Sequence, residues 1–185
     1  TVDAQDLPTT SPKAIEGVSL TKSPVILRGI QVGGLIGSRA AGARQAAIKE
    51  YKATGRTEDS VLKALRWLKV NQAADGSWTG DGEAKAAPMT AFALLTFLAN
   101  GATPTSSEEF GDTIERAIRF LLNDQQQDGH FTSRDGNDYA HPIASYALSE
   151  AFALTSVPMV KEAAEKATMR IVEGQHDSGG WNYKL

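Results

Sequence analysis

The sequence contains no cysteine, which excludes a disulfide framework, a thiolate nucleophile and any zinc site that needs sulfur ligands. This absence leaves the redox compartment open. The sequence also lacks an excess of charge of one sign, because the net charge is -3 and 22% of the residues are charged. Without a basic footprint, nucleic acid is not expected as a partner. No apolar run approaches the ~20 residues that a membrane-spanning helix needs, so no span is predicted.

The 185 residues, 41% of them apolar, are enough for one domain with its own core. Charge divides the chain in two: residues 1–56 hold eight basic and four acidic side chains, whereas 57–185 hold eleven and eighteen. The first part is rich in Pro, Ser, Thr and Gly, which predicts an extended or partly disordered arm with a helix over 40–53. Residues 57–185 are predicted to form a repeat domain.

The chain begins at Thr1 rather than at Met. This start is compatible with removal of a signal peptide or an anchor, and so with an exported or envelope-tethered product, but it leaves the localisation open.

From Thr57 onward, apolar residues recur at three- and four-residue spacing, without the alternation that is typical of strands. The pattern predicts an all-α fold with helices over 59–72, 88–99, 108–126, 142–155 and 159–174. Asp59 or Ser60 is expected to cap the first helix. Its expected buried face consists of Val61, Leu62, Leu65, Leu68 and Lys69. The second helix is apolar on nearly all sides, so it is expected to be buried.

One motif occurs three times. The copies are Lys63-Ala64-x-x-Trp67-Leu68-x-x-x-Gln72-x-x-x-Gly76-x-Trp78, Arg116-Ala117-x-x-Phe120-Leu121-x-x-x-Gln125-x-x-x-Gly129-x-Phe131 and Lys166-Ala167-x-x-Arg170-Ile171-x-x-x-Gln175-x-x-x-Gly179-x-Trp181. A second unit, residues 88–94, is matched 54 positions later by residues 142–148. The repeating unit is therefore a helical hairpin, with one amphipathic outer helix and one apolar inner helix that opens with proline.

The spacing within the motif has a structural interpretation. The glutamine amide can bond backbone atoms that are left unpaired at helix ends, and glycine permits a positive φ in the turn. The aromatic side chain can then fold back over the amide. We therefore expect the motif to fasten neighbouring repeats together rather than to contact a ligand. Its structural residues are Gln72, Gly76, Trp78, Gln125, Gly129, Phe131, Gln175, Gly179 and Trp181.

The repeat resembles the QW motif of the terpene cyclase superfamily, which includes the squalene-hopene cyclases and shares its fold with the protein prenyltransferase β subunits. The resemblance covers residues 58–183 and departs from the pattern at Phe131, in place of Trp, and at Arg170, in place of an aromatic residue. It implies an α/α toroid whose inner helices line a central cavity. In particular, the sequence looks like a bacterial prenyltransferase and squalene oxidase repeat protein.

The catalytic groups that the resemblance implies are not found in the sequence. Cyclases that start by protonation carry Asp-x-Asp-Asp before an inner helix, and the corresponding positions here read Asn137-Asp138-Tyr139-Ala140 and Glu83-Ala84-Lys85-Ala86. Prenyltransferases bind zinc through Asp, Cys and His, and this chain has no Cys. No metal site and no cofactor are predicted, because His130, His141 and His176 lack metal-ligand spacing. His130 and His176 are expected to be exposed turn residues.

The remaining candidates for chemistry precede the second inner helix. Asp135, Asp138, Tyr139 and His141 gather two carboxylates, a phenol and an imidazole near the positive end of a helix. In the alternative interpretation they form a long turn in which Asp138 caps the helix. Phe92 and Tyr146 are candidates for lining an apolar cavity, and their alternative is plain core.

Two function classes remain. The first is a terpenoid cyclase or prenyltransferase-like enzyme, or a binder, that acts on an isoprenoid or other apolar molecule in a central cavity. The second is a non-catalytic scaffold that binds a protein or another partner. The missing acid cluster and the missing zinc ligands favour the second class.

Repeat length limits the architecture. A ring of about six units of ~50 residues needs on the order of 300 residues, whereas positions 58–185 hold about two and a half units. We therefore predict an open arc of five or six helices, whose end faces are covered by the arm or by another copy.

Overall fold

The computed structural model of the chain describes residues 48–52, 54–79, 86–131 and 139–181. These ranges are helical, with no strand among them, which confirms the all-α prediction. Residues 48–50 are helical, within the predicted helix over 40–53, whose other residues lie mostly outside the described ranges. The five longer helices are α1 (Gly55–Val70), α2 (Ala86–Ala99), α3 (Gly111–Asp124), α4 (Ala140–Thr155) and α5 (Pro158–Glu173).

Helix α1 begins earlier than the capping residues predicted. Thr54 is extended, with φ -95° and ψ 160°, and its carbonyl accepts the backbone N–H of Thr57 at 2.9 Å. Asp59 and Ser60 therefore lie inside the helix and do not cap it. Ser60 bonds backwards instead, its hydroxyl donating to the carbonyl of Arg56 at 2.8 Å. A threonine carbonyl that closes the first turn is enough to start the helix without a side-chain cap.

Proline lies in the first turn of three helices, and for α2 and α4 the sequence predicts it. Pro158 is the first residue of α5, and Pro88 and Pro142 are the third residues of α2 and α4. The N–H groups of a first helical turn have no intrahelical acceptor, so a proline there removes no hydrogen bond. The carboxyl ends of α2, α3, α4 and α5 agree with the predicted ones within two residues, and α1 ends two residues earlier than predicted.

Helices α2 and α4 pack against each other, α3 packs mainly on α2, and α5 packs mainly on α4. Their shared core contains side chains that are fully buried: Ala91, Leu94, Phe97, Leu98, Ile114, Ala117, Ile118, Leu121, Phe131, Ala144, Ala147, Leu148, Ala151, Val160 and Ala167. None of the helices in the described ranges is long and apolar enough to span a membrane.

Helix α1 is less covered than the sequence predicts. Leu65 is buried, and Leu62 and Leu68 pack against the core. Val61 and Lys69, which were predicted to be buried, are exposed. Among the described helices, α1 makes its main contact with α2, whereas α3 and α5 also receive the turn of a preceding repeat.

A charged contact connects α1 to the segment before α3. Arg66 donates from Nε to Oε1 of Glu109 at 2.7 Å and from its terminal nitrogen to Oε2 at 3.3 Å. Lys69 Nζ donates to the backbone carbonyl of Glu109 at 2.6 Å. The hydrogen bond from Arg66 holds the pKa of the Glu109 carboxyl below its ordinary value.

Replacing Glu109 by glutamine is expected to remove a pH-dependent part of the stability. Because the folded-state pKa is lowered, the ionised carboxylate stabilises the fold above the ordinary glutamate pKa, and this contribution is lost as the pH falls through the lowered value. The melting temperature of Glu109→Gln should therefore lie slightly below that of the wild type at neutral pH, and the difference should vanish in acid. The effect is small because the pair is exposed.

Thermal unfolding between about pH 3 and pH 7 measures this difference. Arg66→Gln is the matched control and should reproduce the same pH dependence. A difference that stays constant over the whole range would contradict the assignment.

Candidate functional site

The three motif turns share one backbone geometry. In each turn the residue after the glutamine donates its N–H to the carbonyl of the residue before the aromatic position. These pairs are Ala73 with Ser77 at 2.9 Å, Gln126 with His130 at 3.0 Å and His176 with Gly180 at 2.9 Å. The motif glycines have positive φ angles of 92°, 86° and 85° at Gly76, Gly129 and Gly179. Glycine is needed at this position because other residues adopt such angles only with strain.

The motif glutamine closes its own turn. In all three copies its Nε2 donates to the carbonyl of the motif glycine, at 2.9, 3.0 and 2.8 Å from Gln72, Gln125 and Gln175. This bond depends only on residues that are four positions apart, so each turn is built in the same way whether or not another repeat follows.

The first two glutamines also bind the next outer helix. Gln72 Nε2 donates to the carbonyl of Thr113 in α3 at 2.9 Å, and Gln125 Nε2 donates to that of Ala163 in α5 at 2.9 Å. Thr113 is the third residue of α3 and Ala163 is the sixth of α5, so neither acceptor is one of the unpaired carbonyls at the carboxyl end of a helix. The amide therefore connects neighbouring repeats through one side chain.

The glycines allow close contact with the same helices. A Cβ on Gly76 would lie 2.4 Å from the carbonyl oxygen of Arg116, and one on Gly129 would lie 2.8 Å from that of Lys166. A Cβ on Gly179 would meet nothing within 4 Å. The basic motif residue of each following repeat therefore rests on the glycine of the repeat before it.

The aromatic side chains complete the turns. The indole Nε1 of Trp78 donates to the carbonyl of Leu68 at 2.9 Å, and that of Trp181 donates to the carbonyl of Ile171 at 2.7 Å. Phe131 has no such donor. Instead, it is fully buried beside α4.

The backbone N–H of the aromatic residue donates a hydrogen bond to a side chain on the apolar helix that follows the turn. Thr90 Oγ1 accepts it from Trp78 at 3.0 Å, and His141 Nδ1 accepts it from Phe131 at 3.2 Å. Sequence reasoning missed Thr90. Its only signal was a polar residue in an otherwise apolar helix, where a buried hydroxyl needs a partner.

His141 is held in one tautomer by its contacts. Because Nδ1 accepts a backbone N–H, the ring proton lies on Nε2, which donates to the carbonyl of Ala167 in α5 at 3.0 Å. The imidazole is fully buried and connects the second turn to α4 and α5. This arrangement positions structural elements and leaves neither ring nitrogen facing solvent.

His130 lies next to His141, with ring centroids 5.0 Å apart. It is 8% exposed, so the prediction of an exposed turn residue is wrong for His130 and is confirmed for His176. The side chain of His130 is turned inward because the second turn is covered by the next repeat, whereas none of the described helices covers the third turn.

The structure describes two of the four candidate catalytic residues and does not bring those two together. Asp135 and Asp138 lie outside the described residues. Tyr139 is 57% exposed and precedes α4, while His141 is buried in the core. In the ranges that the structure describes, no group of three or more His, Asp or Glu side chains is arranged to hold a metal ion.

The two candidate cavity residues lie on the surface. Phe92 in α2 is 51% exposed and Tyr146 in α4 is 56% exposed. Met89 lies one turn before Phe92, and Tyr139 lies seven residues, or two turns, before Tyr146, so each pair shares a helix side. We call Met89, Phe92, Tyr139 and Tyr146 the inner-helix face.

A depression next to the second turn lacks the enclosed, apolar walls that a cavity for an isoprenoid needs. It is open to solvent and is lined by Lys166 and residues 122–127, most of which are polar. Asp124 lies at this depression, and part of its side chain is exposed to solvent. The protein atoms around the carboxyl nevertheless desolvate it, and this desolvation raises its pKa. None of the residues that line the depression is identified as a catalytic partner of Asp124.

Comparison with known proteins gives no assignment: no protein-family model matches the chain, and no solved structure matches it significantly.

Proposed function

We propose that the chain is a non-catalytic helical-repeat scaffold of the terpene cyclase and prenyltransferase type, which binds a protein partner through its inner-helix face. In this proposal the helices form an open arc of an α/α toroid. The inner helices α2 and α4, which would line the cavity of a closed ring, present their aromatic side chains to solvent.

The observation that carries the proposal is the exposure of Phe92 and Tyr146. Both belong to helices that are mostly buried, and they occupy corresponding positions 54 residues apart. Exposed aromatic and methionine side chains at repeated positions of neighbouring helices are typical of binding surfaces. An open face of this kind fits a protein surface better than a small molecule, because a small apolar ligand is normally enclosed on most sides.

The contacts between repeats support the scaffold half of the proposal. Gln72, Gln125 and His141 each join one repeat to the next through backbone carbonyls. Side chains that bond fixed backbone atoms hold the relative orientation of the helices. The inner-helix face is therefore presented by a framework whose own core is closely packed.

An isoprenoid-processing enzyme is the competing proposal. It rests on the resemblance of the three motifs, and it needs an acid cluster or a set of zinc ligands, which the sequence lacks at the corresponding positions. Incubating the purified chain with squalene and with prenyl diphosphates, followed by mass spectrometry, tests it directly. The scaffold proposal expects no product, and turnover would overturn it.

Site-specific photocrosslinking tests the binding face. A benzoylphenylalanine in place of Phe92 or of Tyr146, in cells that naturally produce the chain, is expected to give one protein adduct of defined mass. The same group in place of Lys161, an exposed residue of α5, is the matched control and should not give that adduct. The free energy of unfolding of the variant Phe92→Ser/Tyr146→Ser should lie within about 1 kcal/mol of the wild-type value, because substitutions at exposed positions change stability little.

Two results would contradict the protein-binding face. One is the absence of a specific protein adduct at both inner-helix positions. The other is an adduct with lipid alone, which would favour the isoprenoid ligand.

A further inference from the structure

The interfaces between repeats provide a template for an interface between molecules. In the two internal interfaces, a motif turn places its glutamine on a carbonyl three residues before the basic motif residue of the next outer helix. The acceptors are Thr113, three residues before Arg116, and Ala163, three residues before Lys166. The motif glycine lies against that basic residue in both cases.

The third turn has the same shape, but no helix in the described ranges packs on it. Gln175 makes the internal bond to Gly179, and Trp181 makes the indole bond to Ile171. Trp181 is nevertheless 51% exposed, whereas Trp78 is 6% exposed and Phe131 is fully buried. We call Gln175, Gly179 and Trp181 the tail surface.

Helix α1 leaves exposed the residues on which such a turn would pack. In the helices that receive a preceding turn, the residues at three positions are buried: Thr113, Ile114 and Ala117 in α3, and Ala163, Ala164 and Ala167 in α5. The motif register aligns these with Ser60, Val61 and Ala64 of α1, which are all exposed. With Lys63, which aligns with Arg116 and Lys166, they form what we call the head surface.

We propose that copies of this chain associate head to tail, with the tail surface of one molecule docked on the head surface of the next. Gln175 Nε2 then donates to the carbonyl of Ser60 of the second copy, and Gly179 lies against Lys63. The occupant is a second copy because α1 has the small residues, the carbonyl and the basic residue at the register that both internal interfaces use. Such an interface is heterologous, so it builds rings or open chains and not only dimers.

Two single substitutions separate the surfaces. Gly179→Ala places a Cβ where, in the internal interfaces, it would lie 2.4 to 2.8 Å from a backbone carbonyl, although nothing lies within 4 Å of it in the single chain. Ala64→Glu puts a charged side chain at an exposed position of α1 that the docked turn would cover. Glutamate is a good helix former, so α1 should keep its structure, which circular dichroism checks.

Sedimentation velocity from about 1 to 200 μM is the measurement. The wild type is expected to grow in mass with concentration, and each variant should associate at least about tenfold more weakly. An equimolar mixture of the two variants should form a dimer and nothing larger, because only the tail of Ala64→Glu and the head of Gly179→Ala remain intact. Phe92→Ser/Tyr146→Ser is the control and should associate as the wild type does, which keeps this test independent of the proposed partner.

A wild type that stays monomeric over the whole range overturns the proposal. Association that neither variant weakens, or a mixture that grows beyond the dimer, also overturns it, because the contact must then use another surface.

Discussion

Replacing Gly76 by alanine should lower the stability of the fold by about 3 kcal/mol or more, which corresponds to a fall of roughly 6 to 12 °C in melting temperature for a chain of this size. Two costs add. The backbone at Gly76 has φ 92°, which is strained for alanine, and the new Cβ would lie 2.4 Å from the carbonyl oxygen of Arg116. Since that neighbour is backbone, the turn and α3 must move apart.

Gly179→Ala is the matched control for the first cost. It has nearly the same angle, φ 85°, but no atom within 4 Å of the added Cβ. It should lose only about 1 kcal/mol. Both variants should be compared at low micromolar concentration, where association does not add to the apparent stability. Equal losses would mean that the contact between Gly76 and Arg116 contributes nothing.

Gln125→Ala is expected to cost about 1 to 3 kcal/mol, again read as a fall in melting temperature. The substitution removes both hydrogen bonds of Nε2, one to Gly129 within the turn and one to Ala163 in the next repeat. The carbonyl of Ala163 lies on a buried residue, so losing its donor is not fully compensated by water. Gln125→Glu should cost at least as much, because it replaces the donor by an oxygen that the two carbonyls repel.

Gln175→Ala provides the comparison within the same protein. It loses the bond to Gly179 but no bond to a following helix, and it is exposed, so less than about 1 kcal/mol is expected. A melting temperature of Gln125→Ala within error of the wild type would contradict the role of this amide in joining repeats. If Gln175→Ala lost as much stability as Gln125→Ala, the loss would come from the hydrogen bond within the turn and not from the bond to the next helix.

Much of the fold could be predicted from the sequence because its signals are local. Apolar spacing and the prolines placed α2, α3, α4 and α5 to within three residues at each end. The predicted start of the first helix is wrong: Asp59 and Ser60 are good capping residues, whereas Thr54 begins the helix through its backbone carbonyl alone. Capping preferences reflect hydrogen bonds made by a side chain, whereas the first turn of α1 is closed by a backbone hydrogen bond without a side-chain cap.

The candidate site was harder to predict. The acidic, phenolic and imidazole residues before α4 are adjacent in sequence, but Tyr139 lies at the surface and His141 in the core. Successive residues at a helix start point in different directions, so adjacency in sequence does not bring side chains together. The acceptor role of His141 Nδ1 depends on Phe131, ten residues away, and had no signal in the sequence.

The sequence by itself determined the repeating unit: helices from apolar periodicity, turns from glycines that need a positive φ, and the internal bond from a glutamine four residues before that glycine. Each of these depends on residues close together in the chain, so all three turns have the same backbone. Only the tertiary structure decided which copies of a motif residue are buried. Trp78 and Trp181 occupy equivalent positions, as do Ile114 and Val61, yet the first of each pair is covered and the second is not. Burial requires a neighbouring element, and a motif that repeats along the chain cannot encode which of its copies has one.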